Sequence, residues 1–305
     1  RNRKESSIAP YGNAVFTSAS LTHSLGFLEA WAGALSYTFQ LYFDFSGYTD
    51  MALGIARMFG IILPLNFFSP YKSSSIIGFW RTWHMTLSRF LKDYLYIPLG
   101  GNRLGEFRRY LNLMLTMLLG GLWHGAGWNF VVWGGLHGLF LSINHRWQQL
   151  VKGKITDNAF YKLVGIGLTF CCVTIAWVFF RAEKMSSAIV IIKSMFGLNG
   201  IKSKADSTFG SFGEQGTLYG LSLLLIMAVV VFLLPNTQQF FKKYNPCLEN
   251  NFKSGRWNWS PKWYYAIFMS LITALAFFGL TQYSEFLYFN FFKFFFKLFK
   301  LFNSS

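Results

Sequence analysis

Long apolar runs separated by short polar links dominate the chain. Trp263 to Gln282 is uncharged throughout, Leu163 to Phe180 and Leu218 to Leu234 are uncharged and nearly as long, and Leu25 to Phe43 carries only Glu29. About 20 mostly apolar residues cross a hydrocarbon core of roughly 30 Å, so these four runs predict transmembrane helices. The intervening runs differ in kind. Met51 to Leu65 contains Arg57, and Ile76 to Leu95 mixes Trp80, Trp83 and Phe90 with Arg81, His84, Arg89, Lys92 and Asp93. A lipid-exposed span does not tolerate that many charges, whereas a partly buried or re-entrant helix does. Tyr110 to Trp123 and Phe130 to Ile143 are separated only by the turn HGAGWN. Each covers about 21 Å at 1.5 Å per residue, short of the bilayer. The pair therefore predicts a hairpin of short helices whose tip lies within the membrane, which is stable where protein or a water-filled cavity surrounds the exposed backbone.

No repeat of fixed period and no long linker divides the chain. The expected fold is all-α: one polytopic transmembrane helical bundle over residues 1–305, with re-entrant or short helices. The tail FLYFNFFKFFFKLFKLFNSS places Lys293, Lys297 and Lys300 on one helical stripe. Residues 286–302 read either as an interfacial amphipathic helix or as lysines snorkelling from the end of a span.

Composition agrees with this pattern: 53% of residues are hydrophobic, 20% aromatic and only 13% charged, against about 25% charged in soluble domains. The net charge of +16 does not point to nucleic acid, because a nucleic-acid binder carries its basic residues on a patterned soluble surface. Here they lie between apolar runs. Arg1, Arg3 and Lys4 precede the first run, and Lys72, Arg81, Arg89, Lys92, Arg103, Arg108 and Arg109 fill one central stretch. Basic loops mark the cytoplasmic side. The acidic link Asp44 to Asp50 would then face out, and alternation puts the rather basic segment Arg181 to Gly216 outside as well. Cys171, Cys172 and Cys247 supply no disulfide framework. The chain opens on RNRKESS, with neither an initiator Met nor a cleavable signal, and a preceding N-terminal part is expected.

Chemistry narrows to histidine. His23 and His145 flank apolar runs among polar neighbours and read as interface residues. His137, in FVVWGGLHGLF, reads as a packing residue where small neighbours let helices approach. His84 and His124 differ, because each sits beside tryptophan in a polar-decorated or kinked apolar segment, WRTWHMTLSRF and GLWHGAGWN. Intramembrane ionisable groups are expensive and mark functional sites. A buried imidazole is a neutral base able to take a proton from a hydroxyl or thiol, which suits acyl transfer. Composition and spacing alone leave that reading and a structural one both open. Metal binding is not expected: no HExxH or paired-Cys motif occurs, and His124 and His137 lack the spacing of two ligands on one helix turn. Nor is there a GxSxG elbow, a Walker loop or a dinucleotide fingerprint.

Three stretches, FDFSGYTDMALGIARMFGI, FWRTWHMTLSRFLKDYLYIPLGGNR and GLWHGAGWNFVVWGGLHG, resemble the membrane-bound O-acyltransferase (MBOAT) family, and most closely its alginate O-acetyltransferase branch. The resemblance runs in order from about Tyr37 to His145, with a weaker echo in EFLYFNF. It implies an active site in an intramembrane tunnel through the bundle, with His124 as the catalytic base. His84 would be its companion in substrate binding or proton handling. By the same resemblance Trp83, Arg89, Asp93, Tyr94 and Trp123 line the tunnel, and Asp44, Tyr48 and Asp50 match a further signature that is structural or tunnel-lining. No cofactor is implied, the acyl donor being a substrate, acetyl-CoA. Relatives in this branch work with an extracytoplasmic partner of the SGNH-hydrolase type, on a polysaccharide acceptor. The implied setting is the bacterial cytoplasmic (inner) membrane, with multiple passes in contact with lipid. Family members have further N-terminal spans, so this chain is expected to be a C-terminal portion. Alginate is only the name of the branch, and cellulose, peptidoglycan or another glycan remains open as acceptor. D-alanyl transfer to teichoic acid is the nearest enzymatic alternative, and a transporter or channel, which also uses broken helices and intramembrane charge, is the rival from another class.

Overall fold

Helix is the only regular secondary structure among the residues described by the computed structural model, which are 9–21, 25–151, 158–200, 208–249 and 258–279. A chain this apolar pairs its backbone N–H and C=O groups within each segment, and helix is the conformation that does so without a neighbouring strand. Two compact units divide the chain. The larger comprises Ser7–Gln40 and Leu65–Leu234, the smaller Arg1–Ser6, Leu41–Pro64 and Pro235–Ser305. The tail at 286–302 and His23 lie outside the described residues.

The larger unit contains α1 (Ala9–Leu21), the first part of α2 (Phe27–Met58), α3 (Ile76–Trp80), α4 (Met85–Leu91) with a π-helical turn (Lys92–Tyr96), α5 (Gly105–His124), α6 (Trp128–Val151), α7 (Ala159–Arg181), α8 (Met185–Met195) and α9 (Thr208–Leu233). Its centre is the α5–α6 hairpin, against which α7 and α3 pack. Glycine sets the closeness of that hairpin. A Cβ on Gly121 would lie 2.3 Å from the Phe130 carbonyl oxygen, and one on Gly134 would lie 2.3 Å from that of Met117. Only hydrogen fits at either position, so the two backbones touch.

The hairpin helices are longer than their apolar runs predict. α5 has 20 residues and α6 has 24, roughly 30 and 36 Å at 1.5 Å per residue. Both continue past the apolar limits because their polar ends bond to each other: Gln149 Nε2 donates to Glu106 Oε1 at 2.8 Å, and Tyr110 donates to Gln149 Oε1 at 3.3 Å. His124 does open the turn, but at the end of a full-length helix.

α2 likewise runs without a break through the Asp44 to Asp50 segment, which is therefore no loop. Thr49 Oγ1 folds back onto the Ser46 carbonyl at 2.9 Å, and the helix stops only where Gly60, at φ 76°, lets the Ile61 N–H reach the Ala56 carbonyl. Within the larger unit α2 satisfies its own polar groups: Ser36 and Thr38 donate to the Ala32 and Ala34 carbonyls, and buried Glu29 accepts the Gly26 N–H. Among the described residues, α7 and the stretch Gly216–Leu233 of α9 are long and apolar enough to cross a membrane, and Trp263–Phe277 is apolar but shorter. Leu218, Leu221, Leu225, Ile226 and Leu233 of α9 are all exposed, an apolar face suited to hydrocarbon.

The smaller unit holds the rest of α2, α10 (Thr237–Phe240) and α11 (Trp263–Gly279). Asn236 and Gln239 form a reciprocal capping box at the start of α10. Gln238 Nε2 donates to Asp50 Oδ1 at 2.6 Å, and the Trp259 N–H bonds the Phe240 carbonyl at 2.8 Å.

Candidate active site

His124 is the last residue of α5, where the chain leaves the helix through extended Gly125 and re-enters one at Trp128. Asn129, just inside α6, donates to the Ala182 carbonyl and ties this turn to the end of α7. Aromatic edges hold the imidazole. Trp123 lies 4.9 Å away, Phe180 5.1 Å and Trp133 5.2 Å, centroid to centroid, each close to perpendicular to the histidine ring. Behind them Trp133 stacks on Trp177 at 5.7 Å. Both tryptophans are buried, whereas His124 is only partly covered, so the ring is backed by buried neighbours.

His84 occupies a break between α3 and α4 that the Ile76 to Leu95 run does not announce. Its backbone is left-handed, φ 41° and ψ 57°, a conformation uncommon outside glycine and met most often at sites with a special geometric demand. Asn66 enforces it. The Asn66 carbonyl accepts the Met85 N–H at 3.0 Å, and its side-chain oxygen accepts the Thr86 hydroxyl at 2.6 Å. Trp83, next in sequence, packs at 5.1 Å on Trp177, which meets Phe180, the ring beside His124, at 5.4 Å. Rings on α7 thus link the segments that carry the two histidines.

His137 packs as expected, and it also accepts a hydrogen bond. Fully buried on α6, its Nδ1 accepts the Trp80 indole N–H at 3.2 Å, and its ring stands 5.0 Å from that of Trp133. Trp133, Trp177 and Phe180 went unread in the sequence. The signals available were the four-residue spacing of Trp133 and His137 and the three-residue spacing of Trp177 and Phe180, which put each pair on one helix face.

A cavity of about 730 Å³ opens nearby in the same unit. Arg81, Arg89, Lys92, Arg103 and Arg109 line it, together with His145, and none of its lining residues is acidic. His145 therefore belongs to this wall. The YIPLGG stretch forms part of the rim, where Gly100 and Gly101 take φ 107° and 57° and Asn112 Nδ2 holds the Gly101 carbonyl at 3.0 Å. Trp80 lines the cavity and also bonds His137, so cavity and histidine cluster share a wall.

Of the other expected site residues, Trp83 is buried in the cluster, Arg89 lines the cavity, and Trp123 is half exposed beside His124. Asp93 and Tyr94 lie exposed on the π-helical turn, outside the cavity lining. Asp44, Tyr48 and Asp50 belong to the smaller unit, where Asp50 meets Gln238 and Tyr48 is exposed. Among the described residues no three His, Cys, Asp or Glu side chains group as metal ligands. Burial, and then the neighbouring Glu249, push the Cys247 thiol up to about 11, which is the opposite of an activated nucleophile.

Comparison with known proteins bears on the same residues. Over 231 residues, 72% of this chain and 44% of the relative, the sequence is 45% identical to the peptidoglycan O-acetyltransferase of Helicobacter pylori. It is 51% identical to a probable alginate O-acetylase of Pseudomonas putida over 168 residues, 55% of this chain and 34% of the relative. A teichoic acid D-alanyltransferase of Streptococcus thermophilus is 32% identical over 162 residues, 47% of this chain and 39% of that protein. The chain thus spans less than half the length of these relatives. The profile described as MBOAT, membrane-bound O-acyltransferase family, matches residues 14–182, which include His84, His124 and every ring packed around them, and by that match the chain belongs to the membrane-bound O-acyltransferase family.

Proposed function

We propose that this protein moves an acetyl group from a cytoplasmic thioester, acetyl-CoA, across the bacterial cytoplasmic membrane for O-acetylation of an extracytoplasmic polysaccharide, as a multi-pass acetyltransferase with His124 as general base. The observation that carries the reading is the junction of two features: a partly covered imidazole held in an aromatic cage, and a cation-lined cavity whose Trp80 wall packs on Trp133 of that cage at 6.0 Å. The pyrophosphate and 3′-phosphate of coenzyme A suit a site rich in Arg, whose planar fork binds phosphate oxygens in pairs. Those cations come from the basic stretch that marks the cytoplasmic side, where such a donor is found. His124 takes the proton of the attacking hydroxyl as its oxygen bonds to the thioester carbonyl carbon. The C–S bond then breaks and the thiolate leaves with that proton. His84 binds substrate or passes protons beside it. An SGNH-hydrolase-type partner completes delivery to the glycan outside.

The first test is His124→Ala. Loss of polysaccharide O-acetyl groups in a strain that makes the variant at normal level is the expected result, and full acetylation would remove His124 from the chemistry. D-alanyl transfer uses the same steps and is favoured by the similarity to teichoic acid D-alanyltransferases. Labelled acetyl-CoA and carrier-bound labelled D-alanine, supplied in turn to membranes with the partner present, separate the two: label should pass from acetyl-CoA only.

A further inference from the structure

On the two helices that wall the His124 cage lie four buried polar atoms with no hydrogen-bond partner: Trp133 Nε1, Trp177 Nε1, His137 Nε2 and Thr174 Oγ1. Their residues are no more than 2% exposed. Such orphans are rare in folded proteins, and each calls for a reason; four in one cluster call for a common one. The helix pattern brings them together. Trp133 and His137 stand four residues apart on α6, Thr174 and Trp177 three apart on α7, and these helices pack on one another. The rings of Trp133, Trp177 and His137 lie within 6.1 Å of each other, and that of Trp133 is 5.2 Å from His124.

All four can donate, three of them as N–H groups with no lone pair to offer. An indole N–H can only donate. His137 is fixed by Trp80: because its Nδ1 accepts the Trp80 N–H, the proton of the neutral ring sits on Nε2. The cluster thus offers three N–H groups and one hydroxyl, and only the Thr174 oxygen can accept. A water molecule would bring hydrogens for which almost no acceptor exists. The chemistry matches an oxygen that accepts and does not donate.

We propose that these groups bind the carbonyl oxygen of the acyl group in transfer and stabilise it as it becomes an oxyanion, so that Trp133, Trp177 and His137 are catalytic residues alongside His124. The inference rests on the acyl-transfer reading of the site. As the acceptor oxygen bonds to the carbonyl carbon, the C=O electron pair moves onto oxygen and the N–H groups hold it. When the pair returns, the C–S bond breaks and the thiolate departs with the proton that His124 took. Donors fixed in place before charge develops need no reorganisation during the reaction, and removing one such donor costs about 10²-fold in kcat.

The test uses the full-length protein labelled with ¹⁵N in its indoles and two coenzyme A analogues: acetonyl-CoA, a ketone that keeps the carbonyl, and ethyl-CoA, which lacks it. The indole N–H resonances of Trp133 and Trp177, assigned by their loss in Trp133→Phe and Trp177→Phe, should move downfield with the ketone and stay in place with ethyl-CoA. A ketone that competes with acetyl-CoA yet moves neither resonance overturns the oxyanion site and leaves the donor reading standing. If neither analogue competes with acetyl-CoA, the donor reading falls and this inference with it. In kinetics, Trp133→Phe should lower kcat about 10²-fold with KM unchanged, and an unchanged kcat in the folded variant counts against the proposal.

Discussion

His124 and His84 reach their positions by different local means. His124 needs only the end of a helix and the Gly125 exit, whereas His84 needs a left-handed backbone held by Asn66. Substitutions should separate the two. General base catalysis contributes roughly 10² to 10⁴ in rate, so His124→Ala should lose activity on that scale while melting near the parent temperature, because the ring is only partly covered. At position 84, Asn tolerates the left-handed region and a β-branched residue does not. His84→Asn should therefore fold normally with reduced turnover, and His84→Val should lower thermal stability in detergent by about 1–2 kcal/mol. Both histidines were visible in the sequence because an ionisable residue in an apolar run stands out locally. Trp133 and Trp177 were not, since a tryptophan in a membrane helix is unremarkable until its N–H is seen to lack a partner.

At the scale of elements, the α5–α6 hairpin governs how His124 meets its cage. Its backbones touch at Gly121 and Gly134, where any side chain must push against main-chain carbonyls that have nowhere to go. Gly134→Val should destabilise the protein by about 1–3 kcal/mol, the usual cost of overpacking, and should reduce activity by moving Trp133 relative to His124. Thermal unfolding in detergent together with acetyl transfer in membranes measures both effects. The polar ends of the hairpin matter far less. Arg146 and Glu106 stand 3.8 Å apart and largely exposed, so Glu106→Ala should change stability by less than about 1 kcal/mol, read from the same unfolding curves. The apolar runs predict short helices because hydropathy ends where charge begins. Helix does not end there, since hydrogen bonds between the two polar ends carry α5 and α6 onward.

Across the whole molecule, the excess of positive charge acquires direction. The sequence spreads Arg81, Arg89, Lys92, Arg103 and Arg109 over one central basic stretch, and the fold gathers them around one cavity. If that cavity holds the donor's phosphates, Arg103→Ala should raise the KM for acetyl-CoA about 10-fold, the worth of one hydrogen bond to a charged group, with kcat little changed. KM should also climb with ionic strength, because open charges are screened within about 10 Å at 0.1 M salt. A KM indifferent to both would move the donor elsewhere.

The sequence by itself determined that the chain is helical and suited to a membrane, that two histidines beside tryptophans are the candidates for its chemistry, and that its motifs belong to an acyltransferase family. These follow from hydropathy, local composition and motif order, all of which are read along one dimension. Only the tertiary structure decided that Trp133 and Phe180 enclose His124 with Trp177 behind them, that Asn66 breaks the chain at His84, and that His137 faces inward with a free N–H. Each of these depends on residues from separate segments meeting in space, and the hairpin among them on a backbone separation that glycine permits and no single segment encodes.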